Sequence, residues 1–515
     1  MHETADLAVV GGGSTAISFL AQFVDLLEAA ERTGYRRIAV FEPSPDIGPG
    51  GPYSTTDLVT NLLNIPAGKM SAHARDRGHF LEWLKAQPES VRRAHGVSRI
   101  DPTDFLPRSL FGLYLRDVWH DLLKKAAQLG VEIRHVQEAV ESISSPVPGE
   151  IRLTTPNREV SAARVVLCNG NLPSATFPQL EGRPHYFNSP YPCTNLVERI
   201  PRDATVCVLG TSLSAVDAIV ALKSNGHEGP ILATSRNGRL PSVRSAAGLS
   251  ISVPPPTLEQ FQAIAERNGG PLRVLDILEV LKERLLATGT VPDPEDVLGS
   301  GLHPHEALDR EIILAQTTPR MWQCVAISLN EVIDRVWHML PDAERQRFYS
   351  EWRSLWMVRR ATFPLVNATK IQQYVHAGAL AIAPNFLSCD PAADSDGYVI
   401  QVLDESGNRQ AHAVDYVVNA TSFSVDVAQS TDPLIASLLR NGLASPDPYG
   451  GLRMDPATGC LRDARGDLVP EVSLLGSLAT GTYFWTVSLD VNSRLALEQA
   501  QRLVREGALL TNPVA

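Results

Sequence analysis

An apolar run that breaks into Gly11-Gly-Gly13 and then into a helical pattern, the same arrangement again at Ala204–Ala215, and a long stretch of helical periodicity after residue 255 together predict an α/β chain. The architecture expected is two Rossmann-like, three-layer dinucleotide-binding domains with a helical insertion. The first domain is divided: residues 1–185 hold its first half, and residues 359–515 complete it and add a C-terminal helix. Residues 186–250 hold the second domain and residues 251–358 the insertion. A chain of 515 residues is longer than one core supports, which suits such a division.

The first unit opens with the strand Leu7-Ala-Val-Val10, the turn Gly11-x-Gly13-x-x-Ala16 and an apolar-periodic helix over Ile17–Ala29. Gly11 permits the tight turn, Gly13 lets a pyrophosphate approach the backbone, and Ala16 lets the helix pack closely on the strand. Ser14 and Thr15 stand at the helix start, where free N–H groups and the helix dipole favour an anion. The next strand, Arg37–Phe41, ends in Glu42. A carboxylate there accepts hydrogen bonds from ribose hydroxyls and repels a 2′-phosphate, so the site suits FAD or NAD rather than NADP. Glu42 lies farther along the chain than is usual, and a lengthened helix ending near Thr33-Gly34 is expected to absorb the difference.

The second unit repeats the pattern. The strand Ala204–Leu209 leads into Gly210-Thr211-Ser212-Leu213-Ser214-Ala215 and a helix running to Ser224. Gly210 takes the turn position, Ser212 replaces the middle glycine while still allowing fairly close approach, and Ala215 supplies close packing. The following strand, Pro230–Thr234, ends in Ser235-Arg236, where the first unit has an acid. A hydroxyl followed by a guanidinium suits a 2′-phosphate through charge-assisted hydrogen bonds. Arg239 and Arg244 follow closely, so NADPH is preferred to NADH here. The plain alternative is a solvated turn. Two such units, one acid-ended and one arginine-ended, imply one cofactor in each.

Within the insertion, helices are expected at Leu258–Glu266, Leu275–Ala287, Trp322–Met339 and Ala343–Trp356. From Leu380 strand patterns return. Asp415–Ser422 repeats the strand-to-turn pattern of Arg164–Gly170, and Ser473–Gly481 leads into a final helix ending near Arg505.

Composition narrows the remaining classes. A net charge of −11 without any Lys/Arg cluster argues against nucleic acid and anionic membrane surfaces. No unbroken apolar run of about 18 residues occurs and no basic leader precedes the first strand, so a cytoplasmic protein is expected. The six cysteines are scattered without a C-x-x-C pair, which disfavours a disulfide framework, a zinc site and a redox dithiol. No metal site is expected: His303 and His305 read as loop histidines. His73 and His79 flank Arg75-Asp76-Arg77 and read as a solvated face, and Trp352 and Trp356 as helix core.

Beyond the two glycine loops, four segments carry a family resemblance: Ile47-Gly-Pro-Gly-Gly-Pro-Tyr-Ser54, Asn61–Ser71, Pro107-Arg-Ser-Leu-Phe-Gly-Leu-Tyr-Leu115 and Ser235–Pro241. Together they resemble the FAD/NAD(P)-binding bacterial flavoproteins related to the N-hydroxylating flavin monooxygenases. Two motifs depart from that pattern. Its Ala-Thr-Gly stands here as Cys-Asn-Gly170 and Ala-Thr-Ser422, and its Gly-Asp before the last helix is Gly476-Ser477.

The resemblance implies FAD in the first domain, with contacts from Asn64, Met70 and Gly476, and NADPH in the second. It implies that NADPH reduces FAD, that O2 adds to the reduced flavin, and that the hydroperoxide oxygenates the primary amine of an amino acid. The most specific version is an aspartate-type N-monooxygenase. Lys69 is the leading contact for a substrate carboxylate, Asn64 a contact for flavin or nicotinamide, and Arg108 a contact for a phosphate or carboxylate. A loop lysine, a turn asparagine and a helix-start ion pair are the plain readings of these three. An oxidoreductase or amine oxidase without oxygen transfer is the second class, and a non-catalytic redox sensor the third. The substrate identity and a homo-oligomeric state stay open.

Overall fold

The computed structural model of the chain describes residues 2–30 and 34–510. The strand His2–Val10 lies inside the first sheet, whose order is Cys460–Arg462, Leu468–Leu474, Glu159–Leu167, His2–Val10, Arg37–Phe41 and Glu132–Val136. The last five of these run parallel, and the hairpin Ser142–Val147/Glu150–Thr154 adds antiparallel to Glu159–Leu167. A parallel strand covered on both faces needs a continuous apolar run, and Leu7, Ala8 and Val9 are fully buried. The helix Ser14–Ala29 packs against Arg108–Gln128 and against the final helix Leu489–Leu510.

That first helix ends at Ala29. The expected extension toward Thr33-Gly34 falls partly on residues 31–33, outside the described residues. Ala30 is in extended conformation and closes that helix.

The second sheet is all parallel, in the order Leu380–Ala383, Ile231–Thr234, Val206–Leu209, Tyr416–Asn419 and Tyr186–Phe187. This corrects two domain boundaries. Residues 186–250 contribute only three of its strands, and the segment from 359, expected to return to the first domain, supplies the other two. A strand-to-turn pattern shows that a strand exists but not which sheet it joins. The antiparallel strands Phe386–Pro391, Tyr398–Leu403 and Arg409–Val414 also pack on the second unit through Cys389, Tyr398 and Ile400.

Between Thr234 and Leu380 the described residues form helices and loops, so the helical segment runs on to His376. Leu258–Arg267, Val274–Ala287 and the continuous Asp342–Arg360 stretch agree with the periodicity. The expected helix Trp322–Met339 is broken between Ser328 and Ile333. There Asn330 turns its side-chain oxygen to Arg360 Nη2 (2.6 Å) and its carbonyl to Arg494 Nη2 (3.4 Å). An unexpected helix, Pro304–Thr317, begins with proline at its first position, where no N–H is needed. His305 therefore lies on a helix and pairs with His303, Nδ1 to Nδ1, at 2.5 Å.

This helical segment splits its apolar faces between the two units. Leu308, Ile312, Ala368 and Ile371 join the core of the second, while Phe261, Ile264 and Trp337 join that of the first. Trp352 and Trp356 pack on the first core, as their spacing suggested. The insertion thus holds the two nucleotide units against each other.

Candidate active site between the two glycine loops

Both glycine loops open onto one cavity of about 1430 Å³. Gly11 turns with φ +103°, and a Cβ there would lie 2.2 Å from the carbonyl oxygen of Cys168 on the adjacent strand end. Gly210 repeats this with φ +118° and the carbonyl of Ala420 at 2.6 Å. Each loop is therefore pressed onto the strand beside it, and only glycine fits. Gly13 differs: a Cβ would meet nothing nearer than Gly50 Cα at 3.7 Å, so its backbone faces open space at the start of the helix.

At the end of the neighbouring strand, Glu42 is aimed by two backbone amides. Its Oε2 accepts from Gly12 N (2.8 Å) and its Oε1 from Ser44 N (2.9 Å), with the side chain on the cavity wall. A carboxylate, an open helix N-terminus and a closely approachable backbone fit a dinucleotide with a free 2′-hydroxyl. Gly476, at φ +95°, brings the last crossover to Thr15 beside the same opening. Ser477 donates to the carbonyl of Gly170 (2.6 Å). The long final helix starts only at Leu489, after the short helical turns Ser477–Ala479 and Thr480–Tyr483, and both Gly476-Ser477 and the segment Trp485–Asp490 line the cavity.

In the second loop Ser212 is the N-cap of Leu213–Ser224, in extended conformation and without a side-chain cap bond. Thr211 Oγ1 meets Ser235 Oγ (2.9 Å) and donates to Arg239 O (2.7 Å), tying the glycine loop to the arginine-ended strand. Arg236 is exposed on the cavity rim, with no ion pair among the described residues. Gly210, Leu213 and Ser214 line the same wall. These residues fit a dinucleotide carrying a 2′-phosphate.

Asn64 and Lys69 line the cavity too. Asn64 makes no side-chain hydrogen bond among the described residues, so its amide is available to a ligand. Burial, reinforced by Arg244, lowers the pKa of the Lys69 ammonium. Met70 is placed elsewhere: it is buried in the core of the first unit and does not reach the cavity, because the short turn Ala67–Lys69 points it inward.

Arg108 corrects another expectation. Its guanidinium, although on the cavity wall, is taken by protein groups: Nη2 donates to Asp217 Oδ2 (2.9 Å) and Nε to Leu62 O (3.2 Å). Tyr191 donates to the same Asp217 oxygen (2.6 Å). Burial opposes charge on Arg108, yet Asp217 outweighs it and holds the arginine protonated above its ordinary range. The helix-start ion pair is what the structure contains, and it spans the two units.

Of the cations on the far wall, sequence reasoning named only Arg244 for a site, and only as a residue following Arg236. Arg77, expected on a solvated face, binds Asp490 (2.6 Å) and Glu331 (3.2 Å) beside the cavity. His79 is half-buried and bonded to Tyr114 OH (2.8 Å). Arg244 and Arg360, each 9% exposed or less, also line the cavity. They share no motif, and the long-range bridge between Val243 and Phe363 is what sets their two segments side by side.

Among the described residues no cluster of His, Cys, Asp or Glu is arranged to hold a metal ion. All six cysteines are free and buried. No helix among the described residues is long and apolar enough to cross a membrane.

The fold and the paired loops define an α/β architecture with two Rossmann-like dinucleotide-binding domains. Residues 8–172 match a family model described as FAD-NAD(P)-binding. Over 97% of its length the chain shares its fold with the L-lysine 6-monooxygenase of Pseudomonas syringae (TM-score 0.59, 18% identity, 99% of that chain). The ornithine hydroxylase PvdA of Pseudomonas aeruginosa superposes with TM-score 0.59 at 15% identity, covering 98% of this chain and 99% of that one. The cadaverine monooxygenase DfoA of Erwinia amylovora superposes with TM-score 0.58 at 14% identity, covering 98% and 95%. In sequence, 234 residues (42% of the chain) are 27% identical to the uncharacterised protein YdhS of Escherichia coli (strain K12), and this match spans 39% of that relative's length.

Proposed function

We propose that the protein is an FAD- and NADPH-dependent monooxygenase that N-hydroxylates the primary amine of an amino acid. The observation that carries this reading is that an acid-ended and an arginine-ended dinucleotide loop open on one cavity that also holds Asn64 and Lys69. The shared fold with lysine, ornithine and cadaverine N-hydroxylating enzymes supports it.

In this reading Glu42 holds the FAD ribose, and the N–H groups of residues 13–15 and 212–214 hold the two pyrophosphates. Arg236 takes the 2′-phosphate of NADPH and Lys69 the substrate carboxylate. The flavin, when bound, accepts hydride from NADPH and activates O2 for transfer of one oxygen atom. The protein must deliver a neutral, nucleophilic amine. Lys69, Arg244 and Arg360 do this by disfavouring a further cation among them, so the ammonium proton is lost to solvent more readily than in water. Apolar wall residues such as Ile327, Met357 and Trp485 keep water from the reacting centre.

The test is turnover of FAD-loaded protein with NADPH, O2 and a panel of amino acids, analysed by mass spectrometry and peroxide assay. A product one oxygen atom heavier than an amine substrate is the expected result. NADPH consumption yielding only hydrogen peroxide with every amine would favour an oxidoreductase without oxygen transfer.

A further inference from the structure

Large apolar side chains are seldom left in water in groups. Among the described residues fourteen are exposed, and seven of them lie between residues 275 and 313 of the helical segment. Three stand on one helix, Val274–Ala287, where Leu275, Leu278 and Leu286 are 45%, 37% and 47% exposed. The inner face of this helix packs within the protein. Val274, Val280 and Leu285 are buried there, and Leu285 clusters with Trp322 and Val325. On the outer side, a rotation of about 100° per residue places Leu275, Glu279, Lys282 and Leu286 in one strip about 60° wide. All four are exposed, and Leu278 flanks them.

Along the helix the strip reads apolar, acidic, basic, apolar, which makes it complementary to itself turned end for end. An antiparallel copy centred between Val280 and Leu281 sets Leu275 against Leu286 and Glu279 against Lys282, and the reverse on the other side of the two-fold axis. A parallel copy would instead set Glu279 on Glu279 and Lys282 on Lys282. Polar positions inside an apolar helix seam fix its register and orientation in this way. Both charges are open to a partner. Lys282 has no ion pair among the described residues, and Glu279 meets Arg267 at 3.5 Å in an exposed contact that Glu283 shares at 3.4 Å. Exposed pairs of that kind contribute little.

A stable interface covers about 800 Å² on each partner, more than one helix strip supplies. The chain beyond the helix extends it. Val291, five residues after Leu286, is 81% exposed. Leu298 is 49% exposed on the helix Pro294–Leu298, whose Val297 joins the same cluster as Leu281 and Leu285 of the first helix.

We propose that the outer face of Val274–Ala287 is a self-association surface, and that its occupant is a second copy of this chain docked antiparallel about a two-fold axis.

Sedimentation velocity on FAD-loaded full-length protein, over about 1–100 μM, tests this in the range of a modest interface. The mass is expected to rise with concentration toward twice the 55.9 kDa of the chain. A mass that stays at one chain throughout overturns the proposal. Leu275→Glu should raise the dissociation constant at least about tenfold, and Glu279→Lys should do the same by bringing like charges together across the axis. Glu279→Lys combined with Lys282→Glu exchanges the signs and should bring the constant back to within about threefold of wild type. That recovery cannot come from a folding defect, so it reads the interface alone even where a single variant is less stable. A double variant as weak as Glu279→Lys overturns the antiparallel pairing, and Leu275→Glu protein that associates like wild type places the contact elsewhere and overturns the surface.

Discussion

Arg108 Nη2 and Asp217 Oδ2 stand 2.9 Å apart, and this one ion pair joins the helix Arg108–Gln128 of the first unit to the helix Leu213–Ser224 of the second. Both side chains are largely buried, and Tyr191 donates to the same oxygen. Removing one partner leaves a buried charge without compensation. Asp217→Asn is therefore expected to destabilise the protein by about 3–5 kcal/mol, whereas Arg108→Met with Asp217→Leu restores most of the loss. Urea denaturation of the single and double variants checks both. An Asp217→Asn variant as stable as wild type would show that the pair is solvated and contributes little.

The two glycine positions of the first loop have different jobs. Gly11→Ala drives a methyl group against the Cys168 carbonyl at a positive φ, so soluble folded protein should be lost. Gly13→Ala meets no such obstacle. It should fold with nearly unchanged melting temperature and bind FAD about ten- to a hundredfold more weakly, because the methyl group occupies the pyrophosphate's place. Equilibrium dialysis against FAD separates the two effects, and undiminished FAD binding by Gly13→Ala would remove the pyrophosphate from this loop.

Arg236 is exposed on the rim and engaged by no carboxylate among the described residues, so its substitution should be felt by the ligand and not by the fold. Arg236→Ala is expected to raise the KM for NADPH by about ten- to a hundredfold, the scale of a charge-assisted hydrogen bond, and to change the KM for NADH far less. Steady-state flavin reduction with both nucleotides measures this. Equal effects on the two would rule out the 2′-phosphate assignment.

The features readable in advance are those set within a few residues of one another. Gly11, Ser212 and Glu42 belong to strand–turn–helix units whose geometry is local, and the sequence displays them directly. What presses on Gly11 and Gly210 is a carbonyl far away in the chain, at Cys168 and Ala420, and only the sheet order reveals it. The same limit explains the boundary error at residue 359, since the apolar strand Tyr416–Asn419 would suit either sheet by composition. It also explains Arg360, which looks like any other arginine, and Arg244, singled out only for following Arg236, until the bridge between Val243 and Phe363 aligns their segments on one wall. Arg77 misled for a related reason: a charged run predicts solvent, but its partners Glu331 and Asp490 come from the helical segment and the last helix.

The contact between insertion and second unit depends on pH through Glu311. Its carboxylate lies between Arg320 (2.6 Å) and Arg359 (2.8 Å) and also accepts from Ser242 and the Val243 amide, just before Arg244. Burial alone would raise its pKa from the ordinary 4.5, but the two guanidinium groups outweigh it and bring the value down to about 2. A carboxylate depressed in the folded state stabilises most where the unfolded chain is also ionised. Its contribution is thus complete above about 4.5, declines as the pH falls, and is gone below about 2. Glu311→Gln should therefore cost several kcal/mol at neutral pH, since two buried arginines lose their shared counter-charge, and the cost should shrink as the pH falls below about 4.5. Urea midpoints of wild type and variant, measured from neutral pH down to about pH 4, give the difference between them. A gap that stays constant across that range would mean that Glu311 is not ionised between the arginines, and the cluster would then hold the insertion by shape alone.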